Sequence, residues 1–367
     1  MHGILALSAS HLDIFIDDPR HNKALAHRQK AITGIEEALT RWPPQAHEAH
    51  AMWATSYLLG FQSSYLPDAF LDHIVSIRGC ALISQTIYKH RLEGAFPFKT
   101  GPVNTSYEWK PNNFPALNQQ LTRDALHSIA KFAPRFTSRR TNSVEKTIAT
   151  HLVECLRSLL VPLEQRGIPS SSTRIPIDAT TKQSATGSPI NPIFASLSPV
   201  ALLDNVLPTP VLPSQFTDTT PWDAITDVSS DQKPNLQRSL NALISSISIL
   251  ITWPQEAVLH LFSSANPLGN IILAHFCCIR FVVSPLLVLE PAMNIPMGAM
   301  IEWCEKVIDA VEDDEETQWS QYLEWPQKMV TAMRCCLNQK RSLTFGDLYN
   351  VLINDPGAFR EGRMSKL

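Results

Sequence analysis

The chain has 367 residues, 44% of them hydrophobic and 18% charged, with a formal net charge of -3, enough to bury a substantial core as one large helical domain or two average ones. A charge so near zero supplies no global positive field, which excludes a molecule drawn as a whole onto nucleic acid or an anionic membrane. Seven cysteines, an odd number with adjacent pairs at Cys277-Cys278 and Cys335-Cys336, exclude a disulfide framework and read as reduced core thiols.

Apolar side chains at Ile4, Leu5, Leu12, Phe15 and Ile16 fall at three-, four- and seven-residue steps, which predicts a first helix with these residues on one buried side. The small residues Ala6, Ser8, Ala9 and Ser10 would let a neighbouring backbone approach closely. The expectation is a central helix around which the rest is organised. The start has neither a basic n-region nor a small-residue cleavage site, so no signal peptide is expected and an intracellular protein is.

Asp17-Asp18-Pro19 stops this helix, because proline lacks a donor and pushes its predecessor out of helical space. A second helix is predicted from about Asn22 to Leu39, with Leu25, Ile32, Ile35 and Leu39 as its stripe, and it ends at Trp42-Pro43-Pro44. The second of these prolines suits the first turn of a third helix, which carries Met52, Trp53, Ser56 and Leu59 to about Ser64. Pro67-Asp68 opens a fourth, with Phe70, Ile74, Ile77 and Ala81 inward. Residues 93–115 lose the pattern to Gly, Pro and Asn and read as a long surface excursion. Helical spacing returns from Leu117 to Phe132, and again from Val144 through Leu163 to an end near Gly167.

From Ile168 to Lys233 prolines recur among Ser and Thr with few charges. Such a composition offers too little burial to offset ordering entropy, so a disordered insertion is expected. Helices resume at Pro234, with Leu236, Leu240, Leu243, Ile247 and Leu250 in one stripe. The run Gly269 to Leu289 is the most apolar in the chain. His275 and Arg280 in its middle argue against a membrane span and for a buried core helix. Trp253-Pro254 and Trp325-Pro326 form a local echo, each proline expected in a first helical turn. A helix from Met297 to Val311, an acidic cluster from Glu312 to Glu316 and a last helix near Phe345 to Ile353 close the chain.

Nothing alternates with period two for long enough to argue a sheet. The predicted class is therefore all-α, a multi-helix bundle in which residues 1–167 and 234–367 are two halves of one helical domain around the insertion 168–233.

No pattern in this sequence carries chemistry. His47-Glu48-Ala49-His50 places its histidines three apart, whereas two zinc ligands on one helical face sit four apart. It reads as a solvated helix start, and His2 and His11 read as polar contacts of the first helix. Ser143-Val144-Glu145-Lys146 fits a Ser-x-x-Lys pattern, which a serine-rich chain yields about once by chance. Arg135, Arg139, Arg140 and Lys146 form a modest basic patch read as a solvated loop. No catalytic residue, cofactor site or metal site is expected. Met52, Trp53, Phe61, Phe70, Phe276, Phe281, Met297 and Met300 are of the kind that line ligand cavities in helical bundles, and are equally ordinary core residues.

The run His2-Gly3-Ile4-Leu5-Ala6-Leu7-Ser8-Ala9-Ser10-His11-Leu12, then His27-Arg28-Gln29-Lys30-Ala31, Thr55-Ser56-Tyr57-Leu58-Leu59 and Arg78-Gly79-Cys80, resembles the regulatory domain of fungal zinc-cluster transcription factors, nearest to the sterol uptake control regulators. Trp253-Pro254, Leu273-Ala274-His275-Phe276, Trp319 and Leu323-Glu324-Trp325-Pro326 are similar to the C-terminal half of that group. The resemblance implies an all-helical effector or dimerisation domain in the nucleus, partnered by other transcription regulators or by a second copy. It also implies an apolar, sterol-like ligand in the relatives that bind one. The family's six-cysteine zinc cluster lies ahead of this domain, and the first cysteine here is Cys80. Direct DNA contact is therefore not expected from this chain.

Overall fold

A computed structural model describes residues 1–14, 21–96, 118–132, 135, 143–160, 234–283, 295–312 and 319–364. Among them the protein is all-α, with thirteen α-helices, a single 3-10 turn and no strand beyond one isolated bridge between Pro296 and Thr344. Four helices come first: α1 (His2–Asp13), α2 (His21–Leu39), α3 (Ala46–Ser63) and α4 (Phe70–Lys89). Next are α5 (Gln119–Phe132) and α6 (Ser143–Arg157), then α7 (Leu236–Thr252), α8 (Gln255–Leu261), α9 (Pro267–Val282) and α10 (Gly298–Glu312). The turn at Ser320–Tyr322 leads into α11 (Glu324–Gln339), α12 (Phe345–Asn354) and α13 (Pro356–Arg360). Residues 168–233 lie outside the described residues, as do most of the excursion after Glu93 and the acidic residues after Glu312.

Local chemistry sets the helix starts. The Asn235 side chain accepts from Arg238 N at 2.9 Å to begin α7, and Asn266 accepts from Gly269 N at 3.0 Å to begin α9. Thr344 and Asp347 form a reciprocal capping box at α12, and Asp355 caps α13 through Ala358 N at 2.9 Å. Each such cap contributes about 1 kcal/mol by satisfying donors that have no partner inside the helix. The two tryptophan-proline pairs part company here. Pro326 lies in the first turn of α11, but Pro254 is the N-cap of α8, with Trp253 ending α7. The prolines before α3 also stand outside that helix, whose N-cap is Gln45.

The central helix is α9. It buries twelve of its sixteen residues, Ile271 to Phe276 among them, whereas α1 buries only Gly3, Ala6 and Ser10. The expectation that α1 is central is thus corrected. Its large side chains turn outward, with Ile4 52%, Leu5 39% and Leu12 46% exposed. The small residues are what pack. Gly3 lies against Leu58 and Thr55 of α3, where a Cβ would make ordinary van der Waals contact at 3.4–3.6 Å. α1 is a peripheral helix laid on α2 and α3.

One large apolar core runs from Ile74 of α4 through α5, α6, α7 and α9 to α13. Residues such as Ile129, Ile148, Leu156, Leu243 and Ile279 are fully enclosed in it. Each contributes about 1.5–3 kcal/mol by leaving water. A smaller cluster, Ala38, Ala49, Met52, Ile83 and Ile87, joins α2, α3 and α4. Between the two, Ala81 packs on Ile251 with Ile77, Ile244 and Ile247 around them, where α4 crosses α7. The strands of chain on either side of residues 161–233 also meet directly. Asn235 N donates to Ser158 O at 2.7 Å, and Ser239 Oγ donates to Cys155 O at 2.8 Å.

Polar groups fix the first four helices. Arg28 of α2 is buried, and its guanidinium donates to Leu59 O, Gln62 Oε1 and Ser63 Oγ at 3.1–3.2 Å and to Asp72 at 3.1 Å. Gln62 in turn donates to Ser10 Oγ of α1 at 3.2 Å. A buried cation with four acceptors ties α1, α2, α3 and α4 at one point.

Candidate functional site

Four helices from both sides of residues 161–233 enclose a cavity of about 70 Å³. α4 contributes Phe70, His73, Ile74 and Ile77, and α7 contributes Ile247, Leu250 and Ile251. The far walls are Phe276, Cys277, Arg280 and Phe281 of α9, with Met300, Trp303 and Cys304 of α10. The lining is apolar with four exceptions: His73, Arg280 and the two thiols. Of the eight aromatic and methionine residues noted in the sequence, Phe70, Phe276, Phe281 and Met300 come together here, while Met52 belongs to the small cluster and Met297 to the large core. His73 and Trp303 had no distinguishing pattern in the sequence. Arg280, which in the sequence argues only against a membrane span, lies in this wall.

The polar wall groups are held in defined states. His73 Nδ1–H donates to Gly60 O at 2.9 Å, and burial next to the Arg280 cation pulls its pKa down to about 4, so the ring is neutral at pH 7. The Cys304 thiol is pushed well above its ordinary pKa, first by its hydrogen bond with Cys277 and then by burial. Burial does the same to Cys278. Thiols that stay protonated are poor nucleophiles and poor metal ligands. All seven cysteines are free, and five are buried. Trp303 seals the cavity against α4: its ring stacks on Phe70 at 5.2 Å and its Nε1–H donates to Leu66 O at 2.8 Å.

The volume limits what fits. A few waters need ~10–15 Å³ each, whereas pockets for drug-sized ligands span ~300–1,000 Å³. In this conformation the cavity takes a very small molecule and no sterol. A second, wider depression between Lys131, Ser320, Tyr322 and Gln327 is polar and open to solvent. Its charged walls, Lys131 and Glu324, pair with each other at 3.4 Å. Arg135 stacks over the Trp319 ring at 5.2 Å rather than standing in a solvated loop, and Arg139 and Arg140 lie outside the described residues.

The remaining sequence candidates have structural partners. His50 is buried, not solvated: its Nε2–H donates to Leu92 O at 2.9 Å and its Nδ1 accepts from Phe96 N at 3.2 Å. His47 is exposed. His2 meets His27 at 3.0 Å and His11 meets Tyr65 at 3.2 Å. Glu145 is buried and accepts from Asn266 Nδ2 at 2.6 Å, which places it in the α8–α9 junction. Among the described residues no three His, Cys, Asp or Glu side chains are arranged to hold a metal ion. No single described helix is long and apolar enough to cross a membrane.

The segments quoted for the family resemblance meet one another in pairs. Gly3 abuts Leu58, Arg28 binds Leu59 O, and Gly79 faces Ser56. Arg78 donates to Leu250 O at 2.9 Å and to Trp253 O at 2.6 Å. In the C-terminal half the His275 ring stacks on Trp325 at 5.7 Å, and Cys278 donates to Pro326 O at 3.8 Å. His275 Nδ1–H donates to Ile271 O at 2.8 Å, which leaves Nε2 to accept from Ser128 Oγ at 2.8 Å. These residues are interhelical clamps. Comparison of the chain with protein-family models, with curated proteins and with solved structures finds no match.

Proposed function

We propose that this chain is the helical regulatory domain of a transcription regulator of the fungal zinc-cluster type, acting in the nucleus and reaching DNA through a partner. The supporting observation is that the resemblance segments, far apart in sequence, form the contacts between helices: Gly3 with Leu58, Arg78 with Trp253, His275 with Trp325. The reading draws support from these contacts because the effector module of that family is an all-helical domain, and the segments that carry the resemblance are the ones that join the helices here. In this reading the chain performs no chemistry and controls genes of sterol or secondary metabolism. The test is transcriptional. Fused to a heterologous DNA-binding module, the chain should change reporter output, and a fusion carrying Arg78→Leu should not; no change from the intact fusion under any growth condition refutes the proposal.

A second reading, a small-molecule binding module working through a partner regulator, is favoured by the cavity between α4, α7, α9 and α10. An apolar ligand of sterol size would have to part α4 from α10 at the Phe70–Trp303 stack. A ligand at a hundred times its dissociation constant adds about 2.7 kcal/mol to stability. A thermal melt that stays flat across a panel of sterols disposes of this reading.

A further inference from the structure

Besides its two thiols, the cavity between α4, α7, α9 and α10 offers two polar side chains of opposite hydrogen-bonding character. Arg280 of α9 is a cation whose planar fork carries only N–H donors. His73 of α4 is an acceptor. Its Nδ1–H is committed to Gly60 O of α3 at 2.9 Å, and because the two nitrogens of an imidazole point to opposite sides of the ring, Nε2 turns away from α3. Among the described residues nothing hydrogen-bonds to Nε2. The charged and titratable groups that face His73 are Arg280 and Cys277 of α9 and Cys304 of α10, while α7 presents only Ile247, Leu250 and Ile251. Among the described residues no Asp or Glu lines the cavity.

A carboxyl group answers both side chains. Its oxygens accept from a guanidinium in charge-assisted hydrogen bonds, which are shorter and stronger than neutral ones. They cannot also face Nε2 in a space with little water, because two acceptors repel unless a proton stands between them. A carboxylic acid brings that proton: its carbonyl oxygen accepts from Arg280 and its O–H donates to His73 Nε2. An alcohol makes the same two bonds but carries no negative charge for the cation to attract. Size narrows the class further. A cavity of about 70 Å³ is roughly half of the ~150 Å³ that holds benzene, which leaves space for about four heavy atoms. His73, Cys277, Arg280 and Met300 are partly exposed, so the cavity has an edge that meets solvent.

We propose that this cavity binds a short-chain carboxylic acid, its carboxyl group held between Arg280 and His73 Nε2 and its alkyl end against the apolar wall. The inference rests on the ligand-binding reading for its site and goes beyond it in the ligand's class. No helix has to part, so a melt that stays flat across sterols removes the sterol and leaves the acid.

Isothermal titration calorimetry of the full chain with acetate and with propionate at pH 6, in two buffers of different ionisation enthalpy, tests it. At that pH the free ligand is a carboxylate. His73 is neutral, its pKa held at about 4 by burial and the Arg280 cation. Binding should therefore take up about one proton per site, and the dissociation constant should rise roughly tenfold from pH 6 to pH 7. For so few heavy atoms it should be no tighter than about 0.04 mM. Arg280→Met should weaken binding at least tenfold and His73→Phe should abolish the proton uptake, with circular dichroism reporting whether each variant is folded. The proton count on the parent protein stands without either variant. No binding heat from either acid at about 20 mM, which would mean a cavity holding only water, an uptake below half a proton, or propanol bound as tightly as propionate would each overturn the proposal.

Discussion

Arg78 and Trp253 are 175 residues apart in sequence, yet the Arg78 guanidinium donates to the Trp253 carbonyl at 2.6 Å and to that of Leu250 at 2.9 Å. The last carbonyls of a helix have no partner within it, and here a cation from α4 supplies one for α7. Charge-assisted hydrogen bonds are worth about 1.5–3 kcal/mol each way they are lost. Arg78→Leu should therefore lower stability by roughly 2–4 kcal/mol, and Arg78→Lys should restore only part of it because an ammonium must serve from one nitrogen the two carbonyls that the guanidinium meets with Nη1 and Nη2. Urea denaturation of the two variants measures this.

Arg28 tests the polar junction of the first four helices. Removing the buried cation leaves Gln62 Oε1 without its donor and takes one of the hydrogen bonds from Leu59 O and from Ser63 Oγ, which remain bonded to each other, so Arg28→Met should cost about 2–4 kcal/mol. The Asp72 carboxylate on the same guanidinium is 60% exposed, and Asp72→Asn should cost under about 1 kcal/mol. Equal losses in the two variants would mean that the ion pair, not the buried hydrogen bonds, holds the junction.

Acid should unfold the bundle through its buried histidines. His275 is enclosed, and burial lowers its pKa from 6.5 to about 4; His73 and His151 are lowered to about 4 by burial as well. Between those values the unfolded chain binds the proton and the folded one does not, so stability rises with pH. The contribution is complete above pH 6.5 and is lost progressively as pH falls toward 4. Each such histidine adds at most about 1.4 kcal/mol per pH unit to that slope. His275→Asn should flatten the dependence of unfolding free energy on pH between 6.5 and 4 by about one proton, as denaturation at a series of pH values would report.

The position of α1 predicts a contrast between two leucines. Leu243 is fully buried in the large core, and Leu243→Ala should cost about 2–5 kcal/mol. Leu5 lies at the surface, and Leu5→Ala should cost under about 1 kcal/mol. Chemical denaturation of the two variants distinguishes them.

The case of α1 also marks how far the sequence could be read. Its start was legible from periodicity, as were the spans of α2, α4, α5 and α12, because three- and four-residue spacing is a local property; its end at Asp13 comes before Phe15 and Ile16, which lie outside the described residues. Its orientation was not legible. The outward side of α1 lacks charge, and periodicity weighs large apolar residues, whereas the packing face is the one with the small residues Gly3, Ala6 and Ser10. His50 was read as solvated for a related reason. What buries it is the backbone of Leu92 and Phe96, some forty residues further on. The cavity is harder still. Phe70, Phe276, Phe281 and Met300 were visible as a class, but which of the aromatic residues share a wall depends on where α4 crosses α7 and α10, and no local pattern encodes a crossing.

The hydrogen bond from Asn235 N to Ser158 O has a topological consequence. It holds the last turn of α6 against the start of α7, so the two described segments that flank residues 161–233 stand side by side. Loop-closure cost grows only with the logarithm of length. Residues added or removed between those two ends would change the cost of closing the chain very little, and the contacts of α6 with α7 would join the two halves even if the chain between them were cut.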